Sequence, residues 1–371
     1  MTMMFLLNSL DVGGSESKVV RVSNELVKQG VDVRIVYLGG GDALINRVSK
    51  DVELLNLNYN IKSITKASYE LFKYIRNNNV STIYTVNMFP MIFVVLSKVL
   101  LRKKLKWFSL INTTYFESLK KEIQMVLYRI VLFYPSFIVF GAEEQKRVWN
   151  KRYLINDKSS EVIYNGVDNN FFSFNAVPKS SIDELYRLYN IDDFDRVYIT
   201  VAQLRSEKRH IDIIEAARIT KKLGYNFLFL FVGTGLSRNV DDLKKLVDEY
   251  NLSENIIFIG QVGDPRPLLS ISNGFILASE SETFSNAALE AMSMGLPCIL
   301  SNVGGASEMV IPGYNGFLFQ AKSSDSLVEQ IFNHFNSDNS LLSENAKKLV
   351  EDKFSFSQMI QQYLRLYKGS F

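Results

Sequence analysis

The chain has 371 residues, of which 47% are hydrophobic and 22% are charged, and its formal net charge is +3. This length predicts two domains of about 100 to 200 residues each, and the small net charge without an arginine-rich segment argues against a nucleic-acid partner. The single cysteine, Cys298, excludes an internal disulfide, gives no metal-ligand cluster and fits a reducing cytoplasm.

Strand-like and helix-like segments alternate along the chain, and this alternation is typical of parallel sheets covered by helices. In the first half, the segments expected to form strands are 3–8, 33–37, 80–86, 106–111, 136–140 and 161–164. The first of these is interpreted as a strand and not as a secretory signal, because the polar, glycine-rich NSLDVGGSES follows it at once.

A glycine pair follows the first predicted strand. Gly13, Gly14, Ser15 and Glu16 precede a helix that is expected to run to about Gln29. Glycines let a ligand approach the backbone closely, and the amides at a helix N-terminus bind anions or sugar hydroxyls. A purely structural turn would use the same glycines, so both interpretations stay open.

An apolar stretch, 88–101, is followed by a local excess of basic residues. Ser97 and Lys98 interrupt the stretch, which is shorter than the roughly 18 to 20 residues that a membrane span needs. A basic residue near an anionic lipid surface contributes about 1 kcal/mol to membrane binding, so this edge could bind a membrane. An ordinary solvated helix end would have the same residues, so both interpretations stay open. The basic residues are Arg102, Lys103, Lys104, Lys106, Lys120, Lys121 and Arg129, and the nearby aromatic residues are Phe89, Phe93, Trp107, Phe108, Tyr115 and Phe116.

The second half repeats the alternation after a polar, proline-containing join. Its expected strands are 197–202, 227–232, 256–259, 274–278 and 298–300. The sequence therefore predicts an N-terminal domain over 1–170 and a C-terminal domain over 171–355, with an amphipathic helix over 356–371 that crosses back to the first domain. Two such domains would face each other across a cleft lined by the carboxyl ends of the strands.

Two cations follow the first strand of the second domain. Arg205 and Lys208 lie ahead of a predicted helix, although solvated loop charges are the usual fate of such residues. A nucleotide diphosphate carries about two to three negative charges, and two cations with helix N-termini worth roughly half a charge each nearly balance it. A metal ion is therefore not required. Asp193 and Asp195 are interpreted as turn residues, and Gly233 with Gly235 as an incomplete dinucleotide fingerprint.

The segment SESETFSNAALEAMSMGLP places two glutamates seven residues apart, where a buried strand becomes a helix. Glu282 is expected in the loop at the carboxyl end of the strand. Glu290 lies four residues after Asn286 and shares its helix face. Both carboxylates are therefore expected to reach one cleft, and their spacing points to a sugar nucleotide.

Together these motifs resemble the retaining glycosyltransferases of family 4, which have the two-domain GT-B fold of α/β class, built from Rossmann-like, doubly wound domains. The resemblance covers nearly the whole chain. It rests on GGSE, YNGVD, LRSEKRH, FVGTG, IFIGQV, SESETFSNAALEAMSMGLP and VGGASEMV.

The resemblance implies a role for each matching position. In the second domain, Glu290 would bind the donor ribose, Glu282 the transferred sugar, and Arg205 with Lys208 the diphosphate. The other donor contacts would come from Gly14, Gly233, Gln261, Val262, Phe284, Ser285 and Asn286, the last three through backbone amides. Ser15 and Glu16 would contact the acceptor. The family uses the acceptor hydroxyl as nucleophile, retains the anomeric configuration and needs no metal or cofactor.

Two departures from the family pattern stand out. Relatives often carry an arginine where this chain has Gln203 or Leu204, and we expect Arg205 to substitute for it. Relatives also place a histidine in the cleft of the first domain, where this chain has Asn112, followed by Thr113. An asparagine amide offers a donor and an acceptor, so Asn112 can bind the donor sugar and, with Thr113, the acceptor, but it cannot act as a general acid.

The leading expectation is a cytoplasmic enzyme, at the inner face of the plasma membrane, that moves a hexose or N-acetylhexosamine to a glycan with a lipid-linked acceptor. The expected donor is a UDP-sugar, with a GDP-sugar as the less favoured alternative. Two alternatives stay open. The missing histidine is compatible with a catalytically weak subunit that binds nucleotide-sugar and stabilises a partner enzyme. A sugar-nucleotide epimerase shares the two-domain architecture, but this chain lacks a paired set of cleft acids and bases.

Overall fold

The computed structural model describes residues 2–60, 63–101, 105–112, 125 and 128–369. These described residues form two compact units. One contains the residues up to Tyr164 together with those from Ile360 onward, and the other is Asn165–Met359. The expected assignment of acceptor binding to the first domain and donor binding to the second stays a prediction.

Within its described residues, the first unit has a parallel sheet of seven strands in the order β3-β2-β1-β4-β5-β6-β7. The strands are β1 (Thr2–Leu7), β2 (Asp32–Tyr37), β3 (Glu53–Asn56), β4 (Val80–Val86), β5 (Lys106–Ile111), β6 (Phe137–Phe140) and β7 (Ser160–Val162). Sequence reasoning missed β3. This strand is a short edge strand that pairs only with β2, and none of its residues is fully buried, so it lacks the apolar run that marks the central strands.

The described helices of this unit cover both faces of the sheet. They are Gly14–Lys28, Ile64–Asn77, Phe89–Leu100, Glu143–Tyr153 and the part of the C-terminal helix Phe356–Lys368 from Ile360 onward. The last helix packs Tyr363 against Phe5 and Tyr84, with ring centroids 6.2 and 5.6 Å apart. Its apolar face therefore belongs to the core beneath β1 and β4.

Within its described residues, the second unit has a parallel sheet of six strands in the order β10-β9-β8-β11-β12-β13. The strands are β8 (Arg196–Val201), β9 (Phe227–Val232), β10 (Ile256–Gly260), β11 (Gly274–Leu277), β12 (Cys298–Ser301) and β13 (Gly316–Phe319). The helices are Lys179–Leu188, His210–Lys222, Ser237–Glu249, Arg266–Ser270, Asn286–Ser293, Ala306–Met309, Ser324–Phe335 and Asn339–Lys353. The strand β13 was not predicted, because its short apolar run, 317–319, directly follows the turn-forming residues Pro312, Gly313, Asn315 and Gly316.

Both sheets reverse their strand order at one position. In the first unit β1 lies between β2 and β4, and in the second β8 lies between β9 and β11. The loops that leave β1 and β4, or β8 and β11, therefore diverge and open a crevice at the carboxyl ends of the strands. The predicted α/β class with doubly wound sheets is confirmed. None of the helices described is both long enough and apolar enough to cross a membrane.

Candidate functional site

The loop after β8 carries the two predicted cations. A short 3-10 turn, Ser206–Lys208, ends at Arg209, whose φ of 53° turns the chain into the helix His210–Lys222. Arg209 is held by two hydrogen bonds to Asp212, at 3.0 and 2.6 Å, which raise the pKa of its guanidinium. The C-terminal end of the turn is thus fixed, and Lys208 lies beside the loop after β11.

Lys208 and Glu282 meet at the switch point of the second sheet. The Lys208 Nζ donates to Glu282 Oε2 at 2.6 Å, and the two side chains are only 22% and 26% exposed. The Glu280 amide also donates to the Glu207 carbonyl at 2.9 Å. Residues 74 positions apart in sequence therefore form one cationic and acidic pair at the crevice.

Arg205 is less constrained than Lys208. Its side chain is 59% exposed, and its Nη1 lies 3.6 Å from Glu207 Oε1. A long exposed guanidinium at a loop tip keeps its rotamer freedom, so Arg205 can swing toward an anion without breaking a strong contact.

The loop bearing Glu282 is shaped by the loop after β12. Gly304 has a φ of 54°, and a Cβ at this position would collide with the Glu282 carbonyl oxygen. The Gly305 amide donates to the Thr283 carbonyl at 2.9 Å. Only glycine allows this close approach, which gives the VGG of the VGGASEMV motif a structural purpose.

The helix Asn286–Ser293 follows this loop, with Ser285 as its N-cap. The Ser285 hydroxyl accepts from the Ala288 amide at 3.2 Å. Ala288, Leu289, Ala291 and Met292 are buried, whereas Asn286 and Glu290 are half-buried on one face. The helix thus turns a carboxylate and an amide, four residues apart, away from the core. The Phe284 side chain is 5% exposed and packs on Phe354 at 5.2 Å between centroids, so its backbone is the part suited to a ligand.

The glycines after β9 have a structural reason as well. Gly233 and Gly235 face the backbone of Ala202 and Leu204 so closely that a Cβ on either glycine would collide with it. The Leu204 amide donates to the Thr234 carbonyl at 2.9 Å. These glycines let two neighbouring loops pack together at the same edge. Beyond β10, Gln261 is exposed and Val262 is half-buried.

In the first unit, Asn112 directly follows β5 and takes part in a polar network. Its Oδ1 accepts from Lys18 Nζ at 3.2 Å, and its Nδ2 donates to Asn87 Oδ1 at 3.4 Å. Asn87 follows β4 in a left-handed conformation, with a φ of 64°. Sequence reasoning found Asn112 but missed Lys18 and Asn87. Thr113 lies outside the described residues.

The GGSE segment begins the helix Gly14–Lys28 at the switch point of the first sheet. Gly13 is the N-cap, and its Cα faces the Glu16 carboxylate so closely that a Cβ would collide with it. A negative charge at this end stabilises the helix dipole, so Glu16 has a structural role besides the predicted contact with an acceptor. Gly14 has open space where a side chain would lie, and Ser15 is half-buried.

The expected aromatic membrane edge is wrong for three of its six residues. Phe93, Trp107 and Phe108 are at most 1% exposed and lie in the core, because they point into the helix–sheet interface of the first unit. Phe89 is half-buried, and Tyr115 and Phe116 lie outside the described residues. Of the basic residues named with them, Lys106 and Arg129 are exposed, and Arg102, Lys103, Lys104, Lys120 and Lys121 lie outside the described residues.

Both histidines are buried in the second unit. His210 is 2% exposed, packs on Phe231 at 5.1 Å between centroids, and has no hydrogen-bond partner for either ring nitrogen among the described residues. Burial, and after it the charge of Lys208, lowers its pKa to about 4. Burial likewise lowers the pKa of His334 to about 4. The described residues contain no group of three or more side chains suited to a metal ion.

Comparison with protein families divides the chain in two. A family model described as Glycosyltransferase Family 4 matches residues 12–171, and one described as Glycosyl transferases group 1 matches residues 181–351. The two matches contain the switch-point loops of both sheets.

Three curated relatives are 26 to 28% identical to this chain over the aligned residues. N-acetyl-alpha-D-glucosaminyl L-malate synthase of Bacillus anthracis is 26% identical, over 62% of this chain and 62% of its own length. The capsular polysaccharide biosynthesis glycosyltransferase CapM of Staphylococcus aureus is 28% identical, over 69% and 68%. UDP-Gal:alpha-D-GlcNAc-diphosphoundecaprenol alpha-1,3-galactosyltransferase of Escherichia coli is 27% identical, over 68% and 66%. The matches thus span about two thirds of these relatives, and less than that of the first.

Solved structures match over the whole chain. A glycosyltransferase from Rickettsia africae superposes with a TM-score of 0.87 at 22% identity, covering 99% of this chain and 98% of its own. The Anabaena protein HepE in complex with UDP superposes with a TM-score of 0.86 at 17% identity, covering all of both chains. At such identities the likeness concerns the fold.

Proposed function

Since the chain belongs to glycosyltransferase family 4 and has the two-domain GT-B fold, we propose that it transfers a hexose or N-acetylhexosamine from a UDP-sugar to a glycan acceptor. In this proposal the anomeric configuration is retained, and neither a metal nor another cofactor takes part. The product belongs to a surface polysaccharide.

The observation that carries the proposal is the pairing of Lys208 with Glu282 at the switch point of the second sheet, at 2.6 Å. Lys208 and Arg205 would hold the diphosphate, with charge-assisted hydrogen bonds of about 1.5 to 3 kcal/mol each. Glu290 would accept hydrogen bonds from the ribose hydroxyls, and Asn286 lies on the same helix face. Glu282 would then contact the transferred sugar, where Lys208 fixes its carboxylate.

In the reaction we propose, an acceptor hydroxyl oxygen bonds to the anomeric carbon as the bond from that carbon to the diphosphate oxygen breaks. The hydroxyl proton passes to the departing diphosphate, so no side chain has to act as a base. Lys208 and Arg205 neutralise the charge that develops on the leaving group. Asn112, at the carboxyl end of β5, would contact the transferred sugar and the acceptor together with Thr113, Ser15 and Glu16.

The choice of donor and acceptor is supported by what the relatives are said to bind. HepE has been crystallised with UDP and with UDP-glucose. The E. coli relative is described as acting on a diphosphoundecaprenol-linked sugar, and CapM as serving capsular polysaccharide biosynthesis. A UDP-sugar donor and a lipid-linked glycan acceptor are the combination that these descriptions support best.

A lipid-linked acceptor implies work at a membrane surface, and the first unit exposes an apolar patch suited to it. We define the apolar patch by Tyr69, Leu96, Val99, Leu100, Ile130, Phe133 and Tyr134, which are 39 to 81% exposed. The helices Ile64–Asn77 and Phe89–Leu100 bear most of it, and a groove of about 580 Å³ lined by Arg76 and Leu100 joins them. Exposed basic residues around it are Lys66, Lys73, Arg76 and Arg129, which would face the anionic cytoplasmic leaflet.

The membrane part is tested by sedimentation with vesicles of phosphatidylglycerol and phosphatidylcholine. Val99→Glu places a negative charge in the most exposed position of the apolar patch, and we expect binding to weaken about tenfold, since apolar burial is lost and anionic lipid repels the new charge. Leu223→Glu, at a 60% exposed position in the second unit, is the matched control. Equal sedimentation of all three proteins rules the membrane contact out.

The enzymatic part is tested with a panel of UDP-sugars and GDP-sugars. A donor present at 100 times its dissociation constant should stabilise the protein by about 2.7 kcal/mol in a thermal shift. Without acceptor, the enzyme should also hydrolyse this donor slowly and release UDP. The sugar recovered afterwards should have the same stereochemistry as the sugar of the donor. Binding without nucleotide release above background would instead identify a binding subunit, and a changed sugar would identify an epimerase.

A further inference from the structure

The polar network at the carboxyl edge of the first sheet joins three elements that are distant in sequence. Lys18 comes from the helix Gly14–Lys28, Asn87 from the residue after β4, and Asn112 from the residue after β5. The three side chains thus meet at the switch point of this sheet, where the glycine pair also lies.

The contacts of Asn112 fix the orientation of its carboxamide. An ammonium can only donate, so the atom facing Lys18 at 3.2 Å must be the amide oxygen. The atom facing Asn87 Oδ1 at 3.4 Å must then be the amide nitrogen. Exchanging the two atoms would oppose donor to donor at Lys18 and acceptor to acceptor at Asn87. One orientation is therefore strongly favoured.

Asn87 is itself anchored by the backbone. Its amide donates to the Leu110 carbonyl at 2.8 Å, and its Oδ1 also accepts from the Asn112 amide at 3.3 Å. Asn87 thus holds the Asn112 backbone as well as its side chain. Lys18 lies on the helix Gly14–Lys28, whereas the two asparagines follow strands, and its ammonium requires the oxygen end of the Asn112 carboxamide to face it.

Lys18 occupies a costly position for a surface lysine. It is half-buried, and it is the fifth residue of its helix, near the positive end of the helix dipole, which disfavours a cation. Burial lowers its pKa to about 8. An exposed alternative would avoid both costs, so the hydrogen bond to Asn112 stands out as a reason to keep a lysine here.

We infer that Lys18 is a positioning residue for sugar transfer, because it sets the orientation of the Asn112 carboxamide at the edge of the first sheet. This inference rests on the proposed function. The oriented Asn112 carboxamide would then supply a defined donor and acceptor at the position where the family resemblance implies a histidine. Asn112 touches the substrate, and Lys18 acts through Asn112.

A double-mutant cycle tests the inference, with UDP release from the UDP-sugar that wild type turns over fastest as the readout. We expect Lys18→Met to lower kcat about tenfold while donor KM changes less than about twofold, since misplaced groups act on the transition state. Asn112→Ala should lower kcat at least as much. The double variant should be no more than about twofold slower than Asn112→Ala, because the two residues act as a unit.

Lys18→Arg keeps a cationic donor and should restore kcat to within about threefold of wild type. Lys28→Met is the matched control, since Lys28 lies at the exposed end of the same helix and pairs with Glu25 at 3.2 Å, and its kcat should equal that of wild type. Melting temperatures identify any variant that fails to fold.

Independent, multiplicative losses in the double variant would overturn the inference, and so would full activity of Lys18→Met. Both results leave the proposed function intact, because wild type still turns over the donor. If wild type releases no UDP from any donor, the proposed function fails and the inference fails with it.

Discussion

The two units share a doubly wound parallel sheet but differ in the chemistry of its switch-point edge. In the second unit that edge is charged, with Lys208 paired to Glu282 and with Glu290 on the following helix. In the first unit it is dominated by amides, with Asn112 held between Asn87 and Lys18. The charged edge suits a diphosphate leaving group and a ribose, and the amide edge suits sugar hydroxyls, as the proposed division between donor and acceptor requires.

The units also differ in how they respond to acid. Both histidines of the chain are buried in the second unit, each with a pKa lowered to about 4, and the first unit has none. Both tryptophans, Trp107 and Trp149, are buried in the first unit. Because only the second unit contains histidines, we expect its stability to depend more strongly on pH in the acid range than the stability of the first unit.

The largest expected effect comes from removing the mid-helix carboxylate of the second unit. Glu290→Ala should weaken UDP binding at least about 100-fold, because the proposed hydrogen bonds from the two ribose hydroxyls to a charged acceptor would contribute about 1.5 to 3 kcal/mol each. Titration calorimetry with UDP measures this. Glu16→Ala in the first unit is the comparison, and its affinity for UDP should stay within about twofold of wild type. An equal loss of UDP affinity in both variants would contradict the proposed division of donor and acceptor binding between the two units.

The next effect concerns stability in acid. The lowered pKa means that the folded protein holds His210 neutral, so the unfolded chain binds the proton more readily below its ordinary pKa of 6.5. Stability is therefore full above about pH 6.5 and is lost as the pH falls toward 4, by about 2 kcal/mol per histidine between pH 7 and pH 5.

Hydrogen exchange at the two pH values, corrected for intrinsic rates, separates the units. Protection of β9 should fall at pH 5 by about 30-fold per histidine, whereas protection of β5 should change far less. In the His210→Leu variant, the part of this fall in protection that comes from His210 should vanish. A pH response of β9 that is the same in wild type and His210→Leu would show that this histidine is not held neutral.

The smallest effect is expected at the partly exposed cation. Lys208→Met would remove one proposed phosphate contact, and it leaves Glu282 without the partner at 2.6 Å, so turnover of the proposed UDP-sugar should fall about tenfold. Lys222→Met, at the exposed end of the helix His210–Lys222, should match wild type. A loss in both variants would mean that overall charge, and not the Lys208 contact, governs donor use.

Sequence reasoning worked best where the site is built from neighbours in the chain. Asn286 and Glu290 are four residues apart in one helix, so spacing alone put them on one face, and both are half-buried there. It failed where burial depends on distant packing. Trp107 and Phe108 looked like part of a basic edge, yet the sheet and its helices enclose them, whereas exposed Val99 and Phe133 were not singled out.

The sequence by itself determined the α/β class, most of the strands, and the motifs that identify the family, because hydrophobic periodicity and glycine-bearing loops are local properties of a chain. Only the tertiary structure decided that Lys208 meets Glu282 and that Lys18 meets Asn112. Those pairs are 74 and 94 residues apart. Such contacts follow from the order in which the strands pair, and no local pattern encodes that order.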